Sequence, residues 1–463
     1  NWCPIATVAT GETVLKPSEV DIVGDLTINE GEFDQDTNGN PVDVKGGLTL
    51  SGGTFTAGSD NQDVDGKFSL NSGTYTASGN DLDVGGDFEI SGGTFTGKSG
   101  DVDIEGKFDQ TGGSFTASSN LTQVAGGFSR SGSNTFTSND GTVELDGSGN
   151  VDFSPGSALQ LDGFEVDNGS DTVTLTSSFF VDDDLDVSNG TLAFGSNNIR
   201  LNDDGTNDAS DVTVDGTMTT GLGSLILQNG KTANDFSSSS ADGGVFGDIT
   251  VNSGSEIIVS QDITVSGTIT MNDGQIELDD TEGGGGTAHD ITLDDDNVTH
   301  PAIVRNAESA DIITGAGGIV DVATDVTYNL TYAGDTQTAT QELQSGNAGN
   351  LNNLTIDNDG DQVDAPASLS IAGTLDIKSG NTIDLDGANE TITLTATGGS
   401  HTVAGDVINS NSSIDEFVKI TGDNTEITGS TTDGDNAALD NVEVSASNVT
   451  FTNLQDITGN LNI

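Results

Sequence analysis

The chain has 463 residues and a formal net charge of −64, with 75 acidic residues against 11 basic ones. Nucleic-acid phosphates and anionic lipid surfaces would repel so acidic a chain, so neither is expected as a partner. The 64 glycines, together with abundant Asp, Asn and Ser, predict many short strands joined by many turns. The sequence has no apolar run of the length of a transmembrane helix, and membrane insertion is not expected.

The start of the chain predicts a cap and secretion. Residues 1–20 lack the repeat that follows, and we expect them to cover the first turn of a repetitive fold. Cys3 is the only cysteine, which excludes a disulfide within the chain and leaves burial in the cap or a bridge to another molecule. The chain begins with Asn-Trp-Cys rather than Met, which indicates a removed signal segment. We therefore expect a secreted protein, extracellular or at the cell surface.

A regular repeat within residues 21–282 predicts the fold. Phe68, Phe88, Phe108 and Phe128 lie twenty residues apart, within a regular stretch at 44–137. Apolar alternation inside a fixed period of about twenty residues is typical of β-solenoids. We predict an all-β, right-handed parallel β-helix with three short strands per coil and with equivalent aromatic side chains stacked inside it.

Two polar residues interrupt the predicted core. Gln110 and Arg130 occupy positions where Leu70 and Ile90 face inward. Either the strand bulges there or the core has a polar opening. Because a buried unpaired arginine is very unfavourable, we expect a bulge or a local slip at Arg130.

The rest of the chain continues the pattern less regularly. We expect the irregular segment 283–366 to continue the solenoid with loops, and residues 367–463 to form further coils. The sequence stops in mid-pattern at Ile463. Either a further segment follows, or the next molecule completes the column and gives a head-to-tail filament.

Two sequence patterns resemble those of a known class of proteins. The pattern Ile-x-Val-x-Gly-Thr-Leu-x-Ile-x-x-Gly-x-Ile-x-Leu, which 263–278 and 371–385 follow, resembles bacterial surface β-helix proteins, including autotransporter passengers and filamentous-haemagglutinin-like adhesins. Residues 328–332, followed by 350–356, are similar to a unit of large Bacteroidota-type surface proteins. The resemblance implies a secreted right-handed parallel β-helix used for adhesion or surface structure, and it identifies no ligand.

One local motif makes calcium the only cofactor candidate. Oxygen donors alternate around a glycine in the first half of a calcium-loop pattern. The candidate ligands are Asp34, Asp36, Asn38, Asn40 and Asp43. The twelfth loop position, where a bidentate Glu is usual, is Lys45. The alternative is a solvated turn rich in Asp and Asn.

A second pattern predicts an ordered outer surface. Threonines flank the inward aromatic residue of each regular coil and should form two outward ladders on one face. These ladder residues are Thr54, Thr56, Thr74, Thr76, Thr94, Thr96, Thr116, Thr135 and Thr137, with Ser114 in the remaining place. Regular Thr-x-Thr arrays resemble the ice-binding faces of β-helical antifreeze proteins. The alternative is the ordinary preference of threonine for exposed strands.

We therefore expect a non-catalytic structural protein. It would assemble with itself, head-to-tail or laterally, into a surface filament or sheath, or it would form an adhesin stalk that contacts extracellular polysaccharide or another cell surface. Ice or crystalline-surface binding is the first alternative, and a polysaccharide-binding or polysaccharide-cleaving β-helix is the second. The three histidines, His289, His300 and His401, are scattered and suggest no catalytic group.

Overall fold

The structure is a computed structural model, and it shows an all-β chain folded as a parallel β-solenoid of about 16 turns. The described residues are 6–9, 13–15, 20–35, 41–156, 159–201, 210–219, 223–228, 232–237, 245–278, 287–294, 300–313, 318–343, 349–385, 390–408, 417–429, 438–439, 441–453, 456–457 and 460–463. The chain divides into two compact units, unit 1 (Asn1–Ser224) and unit 2 (Leu225–Ile463). The predicted parallel all-β solenoid is confirmed.

In the described part of unit 1, all the elements of regular secondary structure are β-strands. They are Ala6–Val8, Thr13–Leu15, Val20–Ile22, Leu26–Ile28, Glu32–Asp34, Val42–Val44, Leu48–Thr56, Gln62–Val64, Phe68–Thr76, Leu82–Val84, Phe88–Ile90, Thr94–Thr96, Val102–Ile104, Phe108–Gln110, Ser114–Thr116, Leu121–Val124, Phe128–Arg130, Thr135–Thr137, Thr142–Leu145, Val151–Ser154, Gln160–Leu161, Gly163–Leu175, Phe179–Val181, Leu185–Ala193, Ile199–Leu201, Ser210–Val214 and Thr217–Thr219.

The described residues of unit 2 form strands and one short 3₁₀ helix, Gln341–Leu343. Its strands are Leu225–Leu227, Thr232–Ser237, Val245–Phe246, Ile249–Val251, Glu256–Val259, Ile263–Val265, Thr268–Met271, Gln275–Glu277, Ile291–Leu293, Ala302–Arg305, Asp311–Ile313, Val320–Val322, Tyr328–Ala333, Gln337–Thr338, Leu351–Asp357, Gln362–Ala365, Leu369–Ile371, Leu375–Ile377, Thr382–Leu385, Thr391–Leu394, Ser400–Val403, Asp406–Ile408, Phe417–Ile420, Glu426–Gly429, Ala438–Leu439, Val442–Val444, Thr450–Thr452, Asp456–Ile457 and Leu461–Asn462.

Each regular turn of unit 1 pairs in register with the turns before and after it. Phe88 is the neighbour of both Phe68 and Phe108 across parallel strands, as the twenty-residue repeat predicts. Side chains alternate between the two faces of a strand. In Phe88–Ile90, both ends of the strand are therefore buried while Glu89 faces outward.

Stacked aromatic rings fill the core of unit 1, as predicted. Phe68 and Phe88 stack with ring centroids 4.4 Å apart and an interplanar angle of 2°. A second column contains Tyr75 and Phe95, which stack at 5.2 Å. The two columns meet edge to face, with Phe68 and Tyr75 at 82° and 5.0 Å. Both arrangements are favourable for aromatic pairs, and they fix the register of successive turns.

Aspartates at several corners join one turn to the next. Asp25 Oδ1 accepts a hydrogen bond from the backbone N–H of Gly47 at 2.9 Å, one turn later. In unit 2, Asp248 Oδ1 accepts a hydrogen bond from the backbone N–H of Thr268 at 2.7 Å. A carboxylate that accepts a backbone N–H satisfies a donor that the strand ladder leaves unpaired.

Two strands lie within the segment predicted as a cap. Ala6–Val8 pairs in parallel with Leu26–Ile28, and Thr13–Leu15 pairs with Glu32–Asp34. These described parts of residues 1–20 therefore contribute strands to the solenoid. Cys3 lies outside the described residues.

The prediction of a bulge or a local slip at Arg130 is wrong. Gln110 and Arg130 are neighbours in regular parallel register. The arginine side chain instead lies half-buried in a polar opening, because its three nitrogens find acceptors. Nε donates to Gln110 Oε1 at 3.1 Å, Nη1 to the Pro155 carbonyl at 3.0 Å and Nη2 to Asn134 Oδ1 at 2.6 Å. Burial lowers the pKa of Arg130 to about 10, so the guanidinium stays charged at neutral pH.

The irregular segment of unit 2 also carries paired strands. Ala302–Arg305 pairs in parallel with Thr268–Met271 on one side and with Tyr328–Ala333 on the other. The 3₁₀ helix Gln341–Leu343 is buried in this region. Here polar side chains enter the core.

Candidate functional site

A column of carboxylates follows one outer face of unit 1. Parallel pairing places nine residues one above another, and eight of them are acidic. Glu144 is buried, and the other eight are half-buried or exposed. This carboxylate ladder consists of Asp21, Asp43, Asp63, Asp83, Asp103, Gln123, Glu144, Glu165 and Asp186. Since parallel strands lie about 4.8 Å apart, each turn adds one ladder residue about every 4.8 Å.

Several ladder carboxyls resist ionisation. Burial, reinforced by the neighbouring Asp63 and Asp103, raises the pKa of Asp83 to about 6. Burial and Glu165 raise the pKa of Glu144 to about 7, although a hydrogen bond of 2.9 Å from Gln123 opposes the shift. Like charges at this spacing disfavour one another, so the ladder favours bound protons or cations.

The predicted threonine ladders lie where the sequence places them. Thr54, Thr74 and Thr94 are cross-strand neighbours in one column, which continues through Ser114 to Thr135. The second column contains Thr56, Thr76, Thr96, Thr116 and Thr137. We call these two columns the threonine face. Its side chains are half-buried or exposed, and the inward aromatic column between them holds its backbone in register.

The candidate calcium ligands are only partly described. Asp34 ends the strand Glu32–Asp34 and pairs with Thr56, below the threonine face. Asp43 lies on a different strand, within the carboxylate ladder. Asp36, Asn38 and Asn40 lie outside the described residues. Over the described ranges, no group of three or more His, Cys, Asp or Glu side chains could hold a metal ion, so the calcium motif stays a prediction.

Unit 2 contains a buried charged cluster that the sequence did not predict. Arg305 Nη1 donates to Glu342 Oε1 at 2.5 Å, and both side chains are fully buried. Arg305 Nη2 also reaches Asp311 at 2.7 Å, and Asp311 is 37% exposed. The Tyr332 hydroxyl donates to the same Glu342 oxygen at 2.8 Å, while the Tyr328 hydroxyl donates to the Glu342 carbonyl.

The cluster holds Glu342 ionised. Burial alone would raise the pKa of the Glu342 carboxyl, but the Arg305 guanidinium and the Thr340 hydroxyl hold it below its usual value. Burial and the Glu342 charge raise the pKa of Tyr328 and of Tyr332, so both phenols remain donors. The arrangement fixes the short helix Gln341–Leu343 inside the solenoid.

The three histidines lie in separate surroundings. His289 Nδ1 is 3.6 Å from Asp262 Oδ1, and His300 Nδ1 is 3.2 Å from the Thr327 hydroxyl. His401 is buried, and its Nδ1 accepts the backbone N–H of Leu375 at 3.0 Å. Burial lowers the pKa of His401 to about 4, so it is neutral at pH 7.

Comparison with known proteins identified no relative of this chain. No family model, curated protein or solved structure matches this chain. Within the described parts of the chain, no helix is long and apolar enough to cross a bilayer. The class that the fold defines is therefore the β-solenoid repeat proteins, and any narrower family is a matter of proposal.

Sequence reasoning missed two of these features for different reasons. The carboxylate ladder has a clear signal, because Asp43, Asp63, Asp83 and Asp103 repeat every twenty residues between buried apolar positions. The Arg305–Glu342 pair has none, because its members lie 37 residues apart in irregular turns.

Proposed function

We propose that this chain is a non-catalytic structural protein outside the cell, which forms a surface filament, a sheath or an adhesin stalk. The observation that carries the proposal is the register of the carboxylate ladder, which continues over nine positions of unit 1. A solenoid whose turns add identical backbone pairs and stacked rings gains length at constant cross-section. The resemblance to bacterial surface β-helix proteins supports the same role.

The ladder also suggests how copies associate. Ca²⁺ binds about six to eight oxygen ligands, more than a single column of separated carboxylates supplies. The carboxylate ladders of two adjacent copies, facing each other, would together supply more oxygen ligands. Calcium would then act as a bridge in a lateral homopolymer, and low ionic strength without calcium would keep the copies apart because like charges repel.

The test is assembly of the whole protein with and without calcium. Electron microscopy and sedimentation velocity at low ionic strength should show filaments or bundles in millimolar CaCl₂ and separate particles in EDTA. The double variant Asp63→Asn with Asp83→Asn should assemble less. The control, Asp109→Asn with Asp152→Asn, removes the same charge from outward positions off the ladder and should assemble normally. A monodisperse monomer at high concentration with calcium would refute self-assembly.

The threonine face supports a second candidate, binding of ice or another crystalline surface. Its two columns repeat at about 4.8 Å along the solenoid and about 6.8 Å across each strand, which makes a regular grid of hydroxyl and methyl groups. The register of the columns is the observation that favours this candidate.

Thermal hysteresis and ice-crystal shape test this candidate. Thr76→Lys with Thr96→Lys should abolish the activity, while Thr49→Lys with Ser69→Lys, on a different strand position of unit 1, should retain it. Unshaped ice crystals and zero hysteresis with the unmodified protein would exclude ice binding.

A further inference from the structure

An open cleft of about 330 Å³ lies on one corner of unit 2. It arises because a short corner lies between two longer ones. The corner at 272–274 precedes Gln275–Glu277, whereas the corners of the preceding and following turns span 252–255 and 306–310. Successive turns are about 4.8 Å apart, so the notch between the longer corners is about 9.6 Å wide from backbone to backbone.

A ladder of amides stabilises the corner beneath the cleft. Asn272 Nδ2 donates to Asn252 Oδ1 at 3.2 Å, and Asn306 Nδ2 donates to Asn272 Oδ1 at 2.6 Å. In the cleft itself, the Ser253 hydroxyl donates to Asp273 Oδ2 at 2.8 Å. The polar groups are therefore held in place before any ligand arrives, which reduces the entropy lost on binding.

The chemistry of the lining selects the class of ligand. Glu256 and Gln275 are cross-strand neighbours on the outer face, and Asp273 and Ser309 complete the polar wall. Two carboxylates without a basic lining residue repel anions, and none of the residues that line the cleft has an apolar side chain for an apolar ligand to pack against. Carboxylate and amide oxygens accept hydrogen bonds from neighbouring hydroxyl groups. The volume is at the lower end of small-molecule sites, about 300–1,000 Å³.

We propose that this cleft binds one sugar unit of a neutral polysaccharide. Vicinal hydroxyls of a pyranose ring donate to the carboxylates of Glu256 and Asp273, and the Gln275 amide both donates and accepts. The cleft lies within unit 2, and its ligand does not depend on the assembly proposed for unit 1. Because the site is open and small, a ligand of about a dozen non-hydrogen atoms should bind with a Kd on the order of 1–10 mM.

Saturation-transfer difference NMR with the whole protein tests the proposal. The probes are tetrasaccharides of β-1,4-glucan, β-1,4-mannan and α-1,4-glucan, with spermidine as a cationic probe. We expect saturation transfer to at least one tetrasaccharide. Ser309→Tyr fills the cleft from an exposed corner position, and Gln275→Leu removes the amide at similar volume, so each should reduce the signal at least fivefold.

The matched control is Thr397→Tyr, which adds the same ring at an exposed corner outside the cleft lining and should leave the signal unchanged. Circular dichroism establishes that each variant is folded. Three outcomes would overturn the proposal: no transfer to any tetrasaccharide at 10 mM, transfer that survives both cleft variants, or saturable binding of spermidine alone. The last outcome would reassign the cleft to cations.

Discussion

Arg305 and Glu342 form an ion pair inside unit 2, with Nη1 and Oε1 2.5 Å apart and neither side chain exposed. Removing two charges from water is unfavourable, and this pair is stabilised because further groups complete it. Thr340 and Tyr332 donate to the Glu342 carboxylate, and Asp311 accepts from Arg305 at the surface. The pair thus links the buried helix Gln341–Leu343 to the strand Ala302–Arg305.

Loss of one partner should destabilise unit 2 strongly. Glu342→Gln keeps the volume but leaves the buried guanidinium without its main counter-charge, so we expect a loss of about 3–5 kcal/mol in unfolding free energy. Hydrogen exchange at Ala302–Arg305 and thermal unfolding measure the effect. The double variant Arg305→Met with Glu342→Leu leaves no fully buried charge unpaired, since Asp311 is partly exposed, and it should lose less. A double variant as unstable as Glu342→Gln would contradict this account.

The carboxylate ladder predicts that unit 1 becomes more stable on mild acidification. Glu144 and Asp83 have folded-state pKa values of about 7 and about 6, above their usual values of 4.5 and 3.8. The folded state therefore holds more protons than the unfolded chain between about pH 4 and pH 7. Their contribution to stability is complete below about pH 4 and is lost as the pH rises through the folded-state values.

Glu144→Gln tests the sign of this effect. Without divalent cations, the variant should raise the melting temperature of unit 1 by several degrees at pH 8 and change it little at pH 4. Asp152→Asn removes an exposed charge off the ladder and should change the melting temperature by less at both pH values. Destabilisation by Glu144→Gln at pH 8 would show that the ionised carboxylate is favourable in this position.

The sequence predicts the regular turns of unit 1 because their contacts are periodic. Once Phe68 and Phe88 lie one period apart, stacking and strand register follow without knowledge of the corners. The environment of Arg130 could not be predicted in this way. Its acceptors include Asn134 and the Pro155 carbonyl, which lie on corners whose conformation no local pattern determines.

His401 predicts a pH dependence of the opposite sign in unit 2. Its folded-state pKa is about 4, below the usual 6.5, because burial disfavours the charged imidazolium. The stability it contributes is present above about pH 6.5 and is lost as the pH falls toward 4. Thermal unfolding between pH 4 and 8, read by hydrogen exchange at Ser400–Val403, should show this loss.

Substitution of His401 separates the titration from the packing. His401→Leu leaves the Leu375 N–H without its acceptor, which should cost about 1–3 kcal/mol at neutral pH and less toward pH 4, where His401 of the unmodified protein becomes charged. The variant should nevertheless remove the pH dependence of hydrogen exchange at Ser400–Val403 between pH 4 and 7. His300→Leu, at an exposed position, is the control and should retain that dependence. An unchanged pH profile in His401→Leu would assign the acid sensitivity to other groups.

A column of glycines in the regular turns has a backbone conformation that larger residues would strain. Gly73, Gly93 and Gly113 have φ values of 90°, 76° and 66°, in the region that side chains disfavour. A Cβ on Gly93 would also lie 2.6 Å from the Gly73 carbonyl oxygen of the preceding turn. Gly93→Ala should therefore lower the unfolding free energy by about 1–3 kcal/mol through backbone strain and the displaced turn.

Gly79→Ala is the matched control, because its Cβ meets only the Ser99 hydroxyl at 3.3 Å, and the variant should be nearly neutral in thermal unfolding. Equal effects of the two substitutions would show that the corner adapts and that the close stacking of turns at Gly93 does not limit stability.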